Sequence, residues 1–180
     1  MKSYVKFIAG LLVLFLCGFT ILTAKYERPI LISSAGQSAD VTLAGTLFKR
    51  IKVDAQILPL AKKTDLNGVK TLVIVPGFSS KGLGGAGISR EQEFDRVKEL
   101  IAAAKSKNMK IVMLHLGGVA RRGNQSDDFN AMVANASDVM VVVKQGDTDQ
   151  FFTNIANKRK VKIKVIDKIA DAIPVIQELF

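Results

Sequence analysis

Three kinds of residue in this 180-residue chain could do chemistry: a serine in a turn, a single histidine and a pair of adjacent arginines. Ser38 follows Gly36 and Gln37 in a turn between a predicted strand and a predicted helix. A serine at such a turn can act as a nucleophile when a histidine serves as its base. Ser38 and His115 therefore indicate ester hydrolysis as one alternative. The simpler interpretation is that Ser38 caps the following helix.

The two arginines suit a different task, the recognition of an anion. Arg121 and Arg122 come shortly after Gly117 and Gly118, where another predicted strand has just ended. A guanidinium group offers a planar fork that binds a carboxylate or a phosphate through two hydrogen bonds. The alternative is a solvated basic loop, and the sequence leaves both interpretations open.

A glycine-rich segment at residues 82–87 matches the spacing GxGxxG literally. A dinucleotide site also needs a carboxylate at the end of the next strand, about 20 residues further on. That strand ends in Leu114, His115 and Leu116 and has no carboxylate. We therefore predict no nicotinamide, flavin or other cofactor. We expect instead either a plain loop or a loop that wraps a smaller anion, with Ser79, Ser80 and Lys81 as donors.

The elements that must position these residues alternate between strands and helices. Short runs rich in Val, Ile and Leu predict buried parallel strands, and apolar residues at helical spacing predict the segments between them. Strands are predicted at residues 29–34, 55–60, 71–76, 110–116, 139–143 and 162–166, and helices at 39–50, from Ser89, at 126–136, at 148–157 and from Lys168. This order predicts an α/β fold, a single doubly wound, Rossmann-like or flavodoxin-like three-layer sandwich with a mostly parallel sheet.

Ligands of such folds bind at the carboxyl ends of the strands. Every candidate site residue lies at the end of a predicted strand or in the loop that follows one, so we expect these residues to meet at one edge. The predicted ligand-binding residues are Ser34, Gly36, Gln37, Ser38, Ser79, Ser80, Lys81, Gly82, Gly84, His115, Gly117, Gly118, Arg121 and Arg122.

The first 24 residues form an apolar leader, which we expect to be helical. Lys2 and Lys6 precede an uncharged stretch at residues 7–24, the layout of a signal peptide or of a signal anchor. Both interpretations place the domain, residues 29–180, outside the cytoplasm after a short join at residues 25–28. An uncleaved leader would tether the domain to the membrane. Cys17, the only cysteine, lies within the leader, so the domain contains no disulfide.

The distribution of charged residues and the single histidine limit the kinds of partner that we expect. The chain has 26 basic and 16 acidic residues, a formal charge of +10. The basic residues are dispersed and are not interleaved with aromatic residues, which argues against nucleic acid. A single histidine with no cysteine in the domain argues against a zinc site.

Two resemblances add to this interpretation. The Gly36-Gln37-Ser38 step resembles the nucleophile block of SGNH hydrolases, and this resemblance implies that Ser38 is the nucleophile. That class places its base in a C-terminal Asp-x-x-His, whereas this chain has no histidine after His115. The same step, the glycine-rich loop and the two arginines, together with the leader, resemble an uncharacterised family of exported bacterial domains of unknown function. We predict a small-molecule binding domain for an anionic or polar ligand. The alternatives are an SGNH-like esterase and an envelope subunit that binds a protein partner.

Overall fold

The computed structural model describes residues 26–180, which form one six-stranded sheet with helices on both sides. All strand pairs are parallel, in the order β2-β1-β3-β4-β5-β6. The strands are β1 (Ile30–Ala35), β2 (Gln56–Ile57), β3 (Thr71–Pro76), β4 (Lys110–His115), β5 (Val139–Val143) and β6 (Lys162–Ile166). The predicted fold class is confirmed. The order reverses between β1 and β3, where doubly wound folds open their ligand crevice.

Residues 26–180 also form six α-helices, of which the last follows β6. They are α1 (Asp40–Arg50), α2 (Ser80–Ala86), α3 (Arg90–Ser106), α4 (Asp127–Ala134), α5 (Phe151–Arg159) and α6 (Ala172–Leu179). Short 3-10 turns lie at Lys63–Leu66, Gly118–Arg121, Lys144–Gly146 and Ile169–Asp171. Helix α3, predicted from Ser89, begins with a capping box: the Ser89 hydroxyl accepts from the Gln92 amide and the Gln92 side chain accepts from the Ser89 amide.

Alternate strand residues supply two hydrophobic cores, one on each face of the sheet. Leu72 and Ile74 of β3 pack towards α3, α4 and α5, whereas Val73 and Val75 pack towards α1 and α6. Strands that are buried on both faces must be apolar throughout. This is why β3 and β5 appear in the sequence as continuous apolar runs and their bounds are predicted correctly.

The second strand is shorter than predicted. The sequence suggests residues 55–60, but only Gln56–Ile57 pairs with β1. Both residues are exposed at the edge of the sheet. Beyond Ile57 the Leu58 amide donates to the Ile32 carbonyl oxygen over 2.9 Å, and the Ser34 amide donates to the Pro59 carbonyl oxygen over 3.3 Å, so the chain stays beside β1 for two more residues.

The glycine-rich segment was predicted as a loop, and that prediction is wrong. Residues 80–86 form helix α2, even though glycine disfavours helices. The helix is held at both ends: the Ser79 hydroxyl accepts the Gly82 amide hydrogen over 3.0 Å, and Gly87 ends the helix in the left-handed conformation. These caps offset the low helix propensity of the segment.

The C-terminal helix accommodates Pro174 in its first turn, where a missing amide hydrogen costs nothing. Among residues 26–180 no helix is long and apolar enough to cross a bilayer. The predictions for residues 1–24, including Cys17, lie outside the described residues.

Candidate functional site

A buried ion pair fixes the first loop of the predicted edge. Glu93, in the first turn of α3, is fully buried, and its carboxylate accepts the Gly36 amide hydrogen over 2.9 Å and a Gln37 side-chain hydrogen over 3.0 Å. Arg96 completes the pair with Nε 2.7 Å from Glu93 Oε2. The Gln37 side chain therefore points into the protein rather than towards a ligand.

Arg96 extends this cluster to the backbone of two further segments. Its guanidinium group donates to the Ser34 and Ala61 carbonyl oxygens, each over 2.6 Å. Sequence reasoning missed both Glu93 and Arg96, since charged residues near the start of a helix are usually solvated. The one available signal was their i, i+3 spacing, which is that of an ion pair.

The loops that follow β1 and β3 are closed against each other. Gly36 and Gln37 have φ of 101° and 58°, and Gln37 forms an isolated antiparallel bridge with Phe78. The Ser79 amide donates to the Gly36 carbonyl oxygen over 2.8 Å. A Cβ at Gly82 would collide with the Gln37 carbonyl oxygen, so glycine is required there for close packing. The crevice at the switch point is therefore filled by the chain itself.

Arg121 reaches this closed region and pairs with an acidic residue. Its Nε lies 3.3 Å from Asp40 Oδ2, and its Nη1 donates to the Phe78 carbonyl oxygen over 3.2 Å. The side chain also packs over Gly77 and Gly117, where added Cβ atoms would be too close to it. Arg121 therefore joins the loops that follow β1, β3 and β4.

Arg122 points the other way and contacts two carboxylates. Its Nε lies 2.8 Å from Asp127 Oδ1 and its Nη2 2.8 Å from Asp149 Oδ2, and it also donates to the Gly146 carbonyl oxygen. The guanidinium carbon lies 4.4 Å from the centroid of the Phe151 ring. The hydrogen bond to Arg122 lowers the pKa of Asp149 to about 2. Arg122 therefore ties the ends of three segments together.

His115 lies beneath these arginines and is fully buried. Its Nε2 lies 3.2 Å from the Arg121 carbonyl oxygen, which can only accept, so Nε2 carries the proton. The ring packs 4.6 Å from that of Phe152, and Nδ1 faces Gly146 without a partner among the described residues. Burial lowers the pKa of His115, so the ring is neutral at neutral pH.

The serine hydroxyls serve mainly local structure. Ser38 is buried and its hydroxyl accepts the Asp40 amide hydrogen over 3.0 Å. The Ser126 hydroxyl, next to the start of α4, makes no cap hydrogen bond to that helix and accepts instead from the Phe78 amide over 3.2 Å. Ser34 is buried with its hydroxyl oxygen unpartnered among residues 26–180.

The structure thus brings Gly36, Gln37, Ser38, Ser79, Gly82, Gly117 and Arg121 together, with His115 below them. Ser80 and Lys81 begin α2, and Lys81 and Gly84 are exposed on it. Gly118, with φ of 54°, lies in the next turn, where its Cβ would approach Gln145.

That turn forms one wall of a shallow groove at the same edge. The groove has a volume of about 370 Å³, and it is lined by residues 116–120, Val143, Gln145 and residues 167–169. Val119 is 73% exposed beside it. Asp167 and Lys168 place one negative and one positive charge on a groove lining that is otherwise mainly apolar. Gly117 and Gly118 were predicted to bind the ligand, but the rest of the lining was not predicted, since it comes from loops that are distant in the chain.

Serine hydrolysis requires a nucleophile and a base within hydrogen-bonding reach. Ser38 and His115 have other partners, the Asp40 amide and the Arg121 carbonyl oxygen. No hydrogen bond joins these two side chains in the part of the chain that is described. Within residues 26–180, Ser38 and His115 are therefore not joined as a nucleophile and its base.

Comparisons with solved structures give distant likenesses. A GDSL-like lipase from Bacteroides thetaiotaomicron is 10% identical with a TM-score of 0.37, over 91% of this chain and 77% of that one. A putative lipolytic protein of the G-D-S-L family from Desulfitobacterium hafniense is 9% identical with a TM-score of 0.36, over 77% of each chain. The psychrotrophic esterase EstA from Pseudoalteromonas sp. is 11% identical with a TM-score of 0.32, over 84% of this chain and 93% of that one. Likenesses this distant carry no argument about function.

No curated protein matches the sequence. The predicted membership of an uncharacterised domain family is confirmed, because residues 27–180 match a family described as a domain of unknown function, DUF6305. The chain belongs to that family.

Proposed function

We propose that this protein is a non-catalytic binding domain that holds a small ligand in the groove beside Val119. The observation that carries the proposal is the groove itself: an open depression of about 370 Å³ at the carboxyl ends of β4 and β5. Small-molecule sites are concave and mainly apolar, with a few polar groups that orient the ligand. Parallel sheets bind ligands at this edge.

The lining favours a small molecule with an apolar body and an anionic end. Val119, Val143 and Ile169 supply apolar contact, and the Lys168 ammonium group is exposed at the rim. The predicted anion receptors Arg121 and Arg122 already have carboxylate partners. Lys168 is therefore the cation that we assign to the ligand, and a short-chain carboxylate is the simplest probe.

A thermal-shift screen of the full chain in detergent micelles tests this proposal. We expect a short-chain carboxylate at a hundredfold excess over its Kd to raise Tm by about 5 °C or more. Val119→Asp and Lys168→Glu should abolish the shift. The matched controls Val165→Asp and Lys98→Glu change exposed residues elsewhere and should retain it.

Two results would contradict the proposal. One is a screen of carboxylates, sugar phosphates and nucleotides in which no compound raises Tm. The other is a shift that Val119→Asp leaves unchanged, which would place the ligand at another surface. Turnover of a model ester that is lost in Ser38→Ala would support the hydrolase alternative instead.

A further inference from the structure

The positive charge of this domain is concentrated on one face. In a parallel sheet the starts of the strands and the ends of the helices converge at the same edge, here called the amino-end face. It carries twelve basic residues, namely Arg28, Lys49, Arg50, Lys52, Lys70, Lys105, Lys107, Lys110, Lys158, Arg159, Lys160 and Lys162. Only four acidic side chains accompany them, those of Glu27, Asp54, Asp138 and Glu178. The rest of residues 26–180 carries eleven basic and twelve acidic residues, so the entire excess lies on this face.

A cleft of about 760 Å³ opens on the amino-end face. Three exposed lysines and one acidic residue contribute to its lining, namely Lys70, Lys107, Lys110 and Glu27, beside Tyr26. Lys110 Nζ lies 3.1 Å from a carboxylate oxygen of Asp138. Lys70 and Lys107 have no ion-pair partner within residues 26–180, so their charges are available to an external anion.

The chain also enters the domain at this face. The Tyr26 amide donates to the Leu179 carbonyl oxygen over 2.7 Å, and the Tyr26 ring lies 5.9 Å from that of Phe180. A single residue, Lys25, separates Tyr26 from the uncharged stretch at residues 7–24. A join this short would hold the amino-end face close to any membrane that contains this stretch.

We propose that the amino-end face docks on an anionic phospholipid bilayer, with headgroup phosphates in the cleft between Lys70, Lys107 and Lys110. Clusters of lysine and arginine next to a membrane segment are attracted to anionic lipids. Binding of single-stranded nucleic acid would use exposed aromatic rings for stacking, whereas Tyr26 packs against Phe180. Docking in this way would turn the groove beside Val119 away from the membrane.

Lysine footprinting on the full chain tests the proposal. The protein is reconstituted into phosphatidylcholine vesicles with or without phosphatidylglycerol and treated with a membrane-impermeant amine reagent. We expect Lys70, Lys105 and Lys107 to react roughly fivefold more slowly in the anionic vesicles. The exposed lysines Lys62, Lys81 and Lys98 lie away from this face and should react equally in both. Salt at about 1 M, where the Debye length is about 3 Å, should remove the difference.

A charge-reversal variant provides the second arm. Lys70→Glu, Lys105→Glu and Lys107→Glu together should make Lys110 equally reactive in both kinds of vesicle. The matched control Lys62→Glu, Lys81→Glu and Lys98→Glu should keep Lys110 protected in the anionic vesicles. Equal reactivity of the wild-type lysines in both vesicles would overturn the proposal, as would protection of all six lysines alike. Protection by duplex DNA but not by vesicles would identify a nucleic-acid surface instead.

Discussion

The charged residues at the two edges of the sheet differ in whether they have ion-pair partners. At the carboxyl edge Glu93 pairs with Arg96, Asp40 with Arg121, and Arg122 with two aspartates. At the amino-end face most of the lysines have no ion-pair partner within residues 26–180. Charges that are buried and paired fix the loops, whereas exposed and unpaired charges contribute little to folding and remain available to a partner. An arginine in a predicted binding loop is therefore not evidence for a ligand until its partners are known.

Among the paired charges of the carboxyl edge, we expect substitution of Glu93 to cause the largest loss of stability. Glu93→Ala leaves the buried Arg96 guanidinium group without its carboxylate, which should lower the free energy of unfolding by about 3–5 kcal/mol. Urea denaturation measures this loss. The control is Glu99→Ala, whose exposed pair with Lys63 should contribute less than about 1 kcal/mol. Similar losses in the two variants would show that the buried pair does not fix the first loop.

Arg122 should have the next largest effect. Arg122→Ala removes contacts to two carboxylates and one carbonyl oxygen, and we expect a loss of about 2 kcal/mol in urea denaturation at pH 7. The pKa of Asp149 is lowered from 3.8 to about 2. A depressed carboxyl pKa stabilises the protein above the unfolded value and loses that effect as pH falls through the folded value. The difference between wild type and variant should therefore shrink from pH 3.8 to about 2.

His115 should give a smaller effect that depends on pH. Its pKa is lowered by burial from 6.5, so the unfolded state binds a proton more readily. Stability is then complete above pH 6.5 and falls below it, by up to about 1.4 kcal/mol per pH unit. His115→Gln retains a donor for the Arg121 carbonyl oxygen and should flatten this slope. An unchanged slope would mean that His115 is not the group that titrates.

The smallest effect is expected at the amino-end face. Lys70→Gln and Lys105→Gln should each change the free energy of unfolding by less than about 0.5 kcal/mol, since both side chains are exposed and unpaired within residues 26–180. Thermal and urea denaturation of the full chain in neutral detergent measure the change. A loss comparable to that of Arg122→Ala would contradict the view that the lysines of the amino-end face contribute little to folding.

Much of the fold could be predicted from the sequence because buried parallel strands and amphipathic helices leave periodic patterns. The bounds of β3, β5 and β6 and the start of α3 next to Ser89 were predicted correctly. Helix α2 was not, because its two caps had to outweigh its glycines. The edge that gathers the loops was also predictable, since it follows from the order of strands and helices.

The contacts within that edge could not be predicted from the sequence. The pairing of Arg121 with Asp40 and the inward position of Glu93 both depend on packing between segments that lie 57 to 81 residues apart in the chain. Residue types and local spacing do not encode those distances. The groove beside Val119 has the same origin, because three separate loops form its walls.

Native mass spectrometry of the full chain, purified from cells in detergent, would show whether the groove beside Val119 holds a ligand. We expect the wild type and Val165→Asp to carry the same small molecule and Val119→Asp to have lost it. A wild type without any bound molecule, or a molecule that Val119→Asp still retains, would contradict the claim that the carboxyl-edge groove is a binding site.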